Sequence, residues 1–171
     1  HRAGEIVRRI RSFIRQDATP RKPHDVNELV REVLMLLRDT LHQGEVKFEL
    51  DLAEVLPPVQ VDGIQIQQVL VNLVRNADEA MAENGEFPRV LSIGTRLVDD
   101  DLHVSVSDTG CGLDPAIADK LFFPFQTTKG MGLGLGLVTC RTIVESHGGR
   151  IWANANPDRG MTFTLSLPVT G

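Results

Sequence analysis

Apolar and polar residues repeat along this chain with two periods, and each period predicts one kind of element. Apolar residues three and four positions apart predict helices over 2–16, 25–41, 63–83 and 135–147. Alternation at every second position predicts strands over 46–52, 91–98, 102–106, 151–155 and 161–167, with a shorter one at 59–61. Helices and strands follow one another irregularly. This order predicts an α+β fold, a two-layer α/β sandwich in which helices cover one face of a mixed, mostly antiparallel sheet.

The region 17–24 predicts a linker, because Pro20 and Pro23 are incompatible with a continuous helix. It divides the chain into a first segment, 1–19, and a main domain, 20–171. The first segment is predicted to contain a helix, over 2–16, that is rich in arginine. A solvated face on a packing helix is the simplest interpretation, and a helical partner or dimer surface is the alternative.

The helix over 63–83 has two different faces. Its apolar stripe, which predicts burial, consists of Ile66, Val69, Leu70, Leu73 and Ala77. A second stripe is wholly polar and consists of Gln65, Gln68, Asn72, Asn76, Glu79 and Glu83. Such a stripe is usually a solvated face. Asparagine is a poor residue for a helix interior, however, so the pair at Asn72 and Asn76 favours a functional role.

Composition limits the function classes further. The chain has 171 residues, of which 42% are hydrophobic, and a formal net charge of −5. The balance is that of a soluble globular protein, and the charge argues against nucleic acid as a partner. No apolar run approaches transmembrane length, and the two cysteines form no CxxC pair, so a cytoplasmic location is expected. A membrane anchor elsewhere in a longer protein stays open.

Two glycine-rich segments indicate a phosphate-bearing ligand. The first follows a strand and reads Asp108-Thr109-Gly110-Cys111-Gly112, and the second spans 130–136 and opens a helix. Glycine lets backbone N–H groups approach an anion closely, and a helix N-terminus favours one. The second segment is neither a P-loop nor a dinucleotide fingerprint, because the required lysine and glycine spacings are absent. No His/Cys group has zinc-ligand spacing.

With these segments, four blocks of the chain resemble the ATP-binding domain of sensor histidine kinases, of the gyrase, Hsp90, histidine kinase and MutL superfamily. The blocks are an N-box at 68–80, a first glycine box at 108–112, a phenylalanine box at 121–129 and a second glycine box at 130–137. The closing segment 160–168 matches the family's last strand. The resemblance covers about 24–168 and implies a Bergerat-type ATP-binding fold.

The resemblance implies a role for each site residue, with ATP and Mg²⁺ as the cofactors. Asp108 is expected to accept a hydrogen bond from the adenine amino group, and Thr162 to contact adenine through water. Asn76 is expected to bind Mg²⁺, with Asn72 facing the phosphates and Lys129 reaching the terminal phosphate. The backbone positions expected to surround the nucleotide are Gly110, Gly112, Gly132, Leu133 and Gly134. Simpler interpretations stay open, namely a turn-capping Asp108 and a solvated Lys129.

The phenylalanines of the third block have two interpretations. Phe122 and Phe125 are expected either to pack a lid on the domain or to belong to the core. Met131 and Gly136 replace small hydroxyl residues that are common in the family's second glycine box. The resemblance therefore implies one hydrogen bond fewer on the phosphate side.

The implied activity is phosphoryl transfer from ATP to a protein histidine. Asn72 stands where the gyrase and MutL branches have a glutamate that activates water, which favours transfer over hydrolysis. The segment 1–19 resembles the second helix of the family's dimerisation and phosphoacceptor hairpin, without the accepting histidine. The implied partners are the dimerisation helices of the same protein, in a homodimer, and the receiver domain of a response regulator.

Two other functions remain compatible with the same motifs. The first is a non-catalytic nucleotide-binding module with a regulatory role. The second is a protein-serine kinase of the anti-sigma type, which shares the fold. The arginine-rich helix over 2–16 favours the histidine-kinase branch.

Overall fold

The computed structural model describes residues 19–118, 120–124 and 135–169. Its helices are α1 (Val26–Gln43), α2 (Gly63–Met81), α3 (Pro115–Ala118) and α4 (Gly136–Ser146). Its strands are β1 (Lys22–His24), β2 (Lys47–Leu52), β3 (Val59–Val61), β4 (Val90–Val98), β5 (Asp101–Ser107), β6 (Arg150–Ala155) and β7 (Met161–Pro168).

Five strands form the main sheet, in the order β2-β4-β5-β7-β6. Strand β2 pairs with β4 in parallel, and every other neighbouring pair in this sheet is antiparallel. Strands β1 and β3 form a separate antiparallel pair. The predicted α+β fold with a mixed, mostly antiparallel sheet is confirmed.

The helices pack on one face of this sheet, and the alternation along β5 shows how the sequence sets that arrangement. Leu102, Val104 and Val106 are buried in a core shared with the helices. Ser105 and Ser107, which lie between and beyond them, point to the other face and are partly exposed. The result is a two-layer structure with an apolar interior and an uncovered polar sheet face.

Some predicted bounds differ from those in the structure. The predicted linker over 17–24 is wrong for its last three residues, because these form β1 and pair with β3. The helix predicted over 63–83 ends at Met81. The helix predicted over 2–16 lies outside the described residues, so the division into 1–19 and 20–171 stays a prediction.

The first turn of α2 is tied to the last turn of α4. The Asp62 carboxylate caps α2 by accepting from the N–H of Ile64 at 3.0 Å, and it also accepts from the N–H of Thr19 at 2.7 Å. The Asp62 N–H donates to His147 Nε2 at 3.1 Å, and His147 Nδ1 lies 2.8 Å from the Ile143 carbonyl oxygen. The buried His147 is therefore the neutral Nδ1–H tautomer, which joins the two helices.

Candidate nucleotide-binding site

Helix α2 forms one wall of the candidate site. The loop after β5, residues 108–112 (the Asp108 loop), packs on the last turn of this helix. A side chain at Gly110 would place its Cβ 2.7 Å from the carbonyl group of Ala80, so only glycine fits there. The N–H of Cys111 donates to the Ala80 carbonyl oxygen at 3.3 Å. These contacts fix the segment that follows Asp108 relative to α2.

Helix α4 packs on the first half of α2. The buried Cys140 thiol donates to the Val69 carbonyl oxygen over 3.8 Å and forms a hydrogen bond with the Asn72 side chain. Asn72 follows Val69 by one turn, and Asn76 precedes Ala80 by one turn. Along the axis of α2, both amides therefore lie between the contact with α4 at Val69 and the contact with the Asp108 loop at Ala80.

The polar stripe of α2 is partly covered over most of its length. Gln65, Gln68, Asn72 and Asn76 are half-buried, whereas Glu79 is exposed and Glu83 is exposed beyond the end of the helix. A fully solvated face would be exposed throughout. The stripe around the two asparagines is thus a sheltered polar surface, as a bound polar ligand requires.

Asp108 directly follows β5, and its side chain is 3% exposed. Its Oδ1 accepts from the N–H of Gly110 at 2.8 Å and from the N–H of Met161 at 3.4 Å. The first of these bonds caps the turn, so the simpler role of Asp108 as a turn residue is present in the structure. The same bonds hold the carboxylate in one orientation.

Thr162 lies apart from this carboxylate. Its hydroxyl donates to Asn156 Oδ1 at 2.6 Å and lies 2.9 Å from Ser107 Oγ, on the uncovered face of the sheet. The predicted contact of Thr162 with adenine has no support in this geometry, because alternation places neighbouring side chains on opposite faces. Met161, which precedes it, is buried on the helix side and reaches Asp108 through its backbone. The buried alternation along β7 was the sequence signal for this difference.

The turn between β6 and β7 contacts the Asp108 loop through Asn156, Arg159 and Gly160. A Cβ at Gly160 would lie 2.0 Å from the Asp108 carbonyl oxygen, so the two segments touch through their backbones. Asn156 and Arg159 were missed by the sequence reasoning, because their partners lie about fifty positions earlier in the chain.

Gly112 adopts φ +70°, a left-handed conformation that favours glycine. Phe122 packs edge to face on Phe163 with ring centroids 6.3 Å apart, which supports its core role. The other predicted lid and phosphate positions lie outside the described residues, and these are Phe125, Lys129, Gly132, Leu133 and Gly134.

Within the described residues, no group of three or more His, Cys, Asp or Glu side chains could hold a metal ion. Burial raises the pKa of Asp78, with Arg89 opposing and Glu79 reinforcing that shift. The Asp78 carboxylate approaches Gly44 at the end of α1, so it belongs to the junction of α1 and α2.

Stability should fall at alkaline pH because of Cys140. Burial raises the pKa of this thiol from 9.0 to about 12, although the Asn72 hydrogen bond opposes the shift. The thiol therefore contributes stability that is complete below pH 9 and is lost as pH rises toward 12. We expect the free energy of unfolding to fall by about 2 kcal/mol between about pH 9 and pH 11 from this group. Urea titrations across this range measure it.

Two cysteine variants separate this effect from other titrations. Cys140→Ser should flatten the alkaline slope, because its hydroxyl does not ionise in this range. Cys111→Ser, at the exposed cysteine, should leave the slope unchanged. Equal slopes in all three proteins would contradict the assignment.

The chain is similar to known sensor proteins over nearly all of its length. The family model described as histidine kinase-, DNA gyrase B-, and HSP90-like ATPase matches residues 61–171. The chain is 40% identical to the sensor protein FixL of Bradyrhizobium diazoefficiens over 168 residues, covering 98% of this chain and 33% of FixL. It is 38% identical to the sensor protein TdiS of Thauera aromatica over 169 residues, covering 98% of this chain and 31% of TdiS.

A solved structure is similar throughout. Histidine kinase ThkA, in complex with the response regulator protein TrrA, superposes with a TM-score of 0.81 at 33% identity. The match covers 99% of this chain and 48% of that chain. The chain therefore spans about half of this structure and about a third of the curated relatives' length.

The chain belongs to the family of histidine kinase-, DNA gyrase B-, and HSP90-like ATPases. Within it, the chain is an ATP-binding domain of the histidine-kinase type, with the family's Bergerat fold. Among the helices that the structure describes, none combines the length and apolar character needed to cross a membrane.

Proposed function

We propose that this chain is the catalytic ATP-binding domain of a two-component sensor histidine kinase. In this role it transfers the γ-phosphoryl group of ATP to a histidine on a dimerisation helix. The observation that carries the proposal is the position of Asn72 and Asn76. They lie half-buried on α2, between the part of the helix that contacts α4 and the part that contacts the Asp108 loop.

Asp108 is the proposed base-binding residue. Its carboxylate is buried and held by two backbone N–H groups, so it is fixed before a nucleotide arrives. A carboxylate accepts a hydrogen bond from the adenine amino group, whereas guanine presents a carbonyl oxygen at that position. The contact therefore selects adenine over guanine.

The donor set on α2 fits Mg²⁺ bound together with ATP. Asn76 would hold the ion through its amide oxygen, and Mg²⁺ accepts one or two protein oxygens when phosphates and waters complete its shell. When bound, the ion neutralises phosphate charge. Asn72, held by its hydrogen bond to Cys140, would face the phosphates with its amide.

The second glycine box completes the proposed site. Gly132, Leu133 and Gly134 would enclose the phosphates with their backbone, and Lys129 would pair with the terminal phosphate. Gly110 and Gly112 shape the base side, since the first packs on α2 and the second has a left-handed φ. Catalysis would then consist of positioning and charge neutralisation, as in phosphoryl transfer generally.

The phosphoryl acceptors lie outside this domain. Residues 1–19 would be the end of the dimerisation hairpin, and 20–171 the catalytic domain, in a protein that works as a homodimer. The structure of ThkA with the response regulator TrrA supports a receiver-domain aspartate as the final acceptor. The 40% identity to the sensor protein FixL supports the same class of protein.

The direct test extends the chain toward its N-terminus to include the accepting helix. Incubation with γ-³²P-ATP and Mg²⁺ should label a histidine, and the label should be lost in acid. Acid-stable phosphoserine would indicate the anti-sigma type of kinase instead. Absence of Mg²⁺-dependent ATP binding would contradict the kinase function.

Asn76→Ala should weaken ATP binding by at least about tenfold in Mg²⁺, because an amide ligand to a charged group contributes about 1.5 kcal/mol or more. Isothermal titration calorimetry with and without EDTA measures it, and the difference between variants should vanish in EDTA. Gln67→Ala is the matched control, since this amide is on the same helix and bonds to Glu32 of α1. A tenfold loss that persists without Mg²⁺ would argue against the metal role.

A further inference from the structure

Two consecutive carbonyl groups of the Asp108 loop accept hydrogen bonds from side chains of one turn. Asn156 Nδ2 donates to the Asp108 carbonyl oxygen at 2.8 Å, and Arg159 Nε donates to the Thr109 carbonyl oxygen at 3.1 Å. Both donors come from the turn between β6 and β7. The two peptide groups that flank the Cα of Thr109 are thereby held from outside the loop.

Arg159 has two more partners, which fix its guanidinium. Its Nη2 donates to Asn84 Oδ1 at 3.2 Å, and its guanidinium lies 4.4 Å from the ring centroid of Phe87. Asn84 is 4% exposed, and its Nδ2 donates to the same Thr109 carbonyl oxygen at 2.8 Å. Arg159, Asn84 and Thr109 thus form a closed triangle of hydrogen bonds at the C-terminal end of α2.

We infer that Arg159 is a positioning residue for recognition of the nucleotide base. It holds the Thr109 peptide and so fixes the direction of the Asp108 carboxylate. A planar guanidinium donates in two fixed directions, which a flexible ammonium group does not reproduce. The inference rests on the proposed function, in which Asp108 binds adenine.

The chemical consequence is base selectivity. A rigid carboxylate acceptor forms a hydrogen bond with the adenine amino group. The guanine oxygen at the same position is itself an acceptor and cannot form this bond. When the loop can rotate, the Asp108 carboxylate is less well aligned with the adenine amino group. It can also move away from the guanine oxygen, so the repulsion between these two acceptors becomes smaller. Loss of Arg159 should therefore weaken ATP binding more than GTP binding.

The test compares ATP and GTP dissociation constants by competition with a fluorescent ATP analogue. Arg159→Met keeps the length and the apolar contact with Phe87 but removes the donors. We expect about a tenfold weaker ATP affinity and less than about a twofold change for GTP. Arg159→Lys keeps the charge and is the milder substitution for folding. It should lower the preference for ATP over GTP, taken as the ratio of the two dissociation constants, by about fivefold. Arg38→Met, at an exposed arginine of α1, should leave both constants unchanged.

Other outcomes overturn the inference. An equal loss for both nucleotides, together with a lower melting temperature, would show a purely structural role. Recovery of the parent selectivity by Arg159→Lys would show that charge rather than fixed geometry matters. If the parent chain binds ATP and Arg159→Met keeps its selectivity, only this inference fails. If the parent binds no ATP, the proposed function fails with it.

Discussion

Asp108→Asn is expected to weaken ATP binding by about 100-fold and to narrow the preference for ATP over GTP. In the structure, Asp108 Oδ1 already accepts from the N–H groups of Gly110 and Met161. The asparagine oxygen will keep those two bonds, so its NH₂ group will take the position of Oδ2. A donor then meets the adenine amino donor, while the guanine oxygen gains a partner.

Because the turn bonds are kept, Asp108→Asn should fold like the parent. Competition binding with both nucleotides measures the effect, and thermal unfolding without nucleotide checks the fold. Asp51→Asn is the matched control, since this aspartate is exposed on β2. Unchanged ATP affinity in a folded Asp108→Asn protein would rule out the adenine contact.

Gly160→Ala should lower the free energy of unfolding by roughly 4 kcal/mol, which corresponds to a fall in melting temperature of about 10 °C. Gly160 has φ +92°, and its Cβ would lie 2.0 Å from the Asp108 carbonyl oxygen. The variant must therefore separate the β6–β7 turn from the Asp108 loop or distort both. Either change also removes ATP binding.

Calorimetric melting and urea titration measure this loss. Gly136→Ala is the control, because Gly136 begins α4 and a Cβ there would meet no atom of the described residues within 4 Å. It should be neutral or slightly stabilising, since alanine favours helices. A loss below about 1 kcal/mol in Gly160→Ala would mean that the turn and loop separate at little cost.

Much of the fold could be predicted from the periods of the sequence. The helix α2 follows from its apolar stripe, and β4 and β5 follow from alternation across a short turn. These signals are local, and each element buries one face. The parallel pairing of β2 with β4 is not local, because α2 and β3 intervene between the two strands. Strand β1 was missed because Pro23 suggests a linker, whereas an edge position tolerates proline.

A candidate site could be predicted where a motif carries its own chemistry. Asp108, Gly110 and the asparagines of α2 are predictions of this kind, and the first two lie at the loop–helix contact. Arg159 was not found, because nothing near it in sequence shows that it bonds to Thr109. Thr162 shows the opposite difficulty, since the residue type fits adenine but the strand turns its side chain away.

The contacts of the β6–β7 turn also determine when, during folding of this domain, the candidate site becomes complete. The Asp108 loop receives donors from Asn156 and Arg159, which follow their partners by 48 and 50 positions. A growing chain that ends after α4 would contain every glycine-rich motif and still lack these partners. The site therefore becomes complete only when the final hairpin pairs with β5, so a C-terminal truncation before this turn should abolish nucleotide binding while sparing all the motifs.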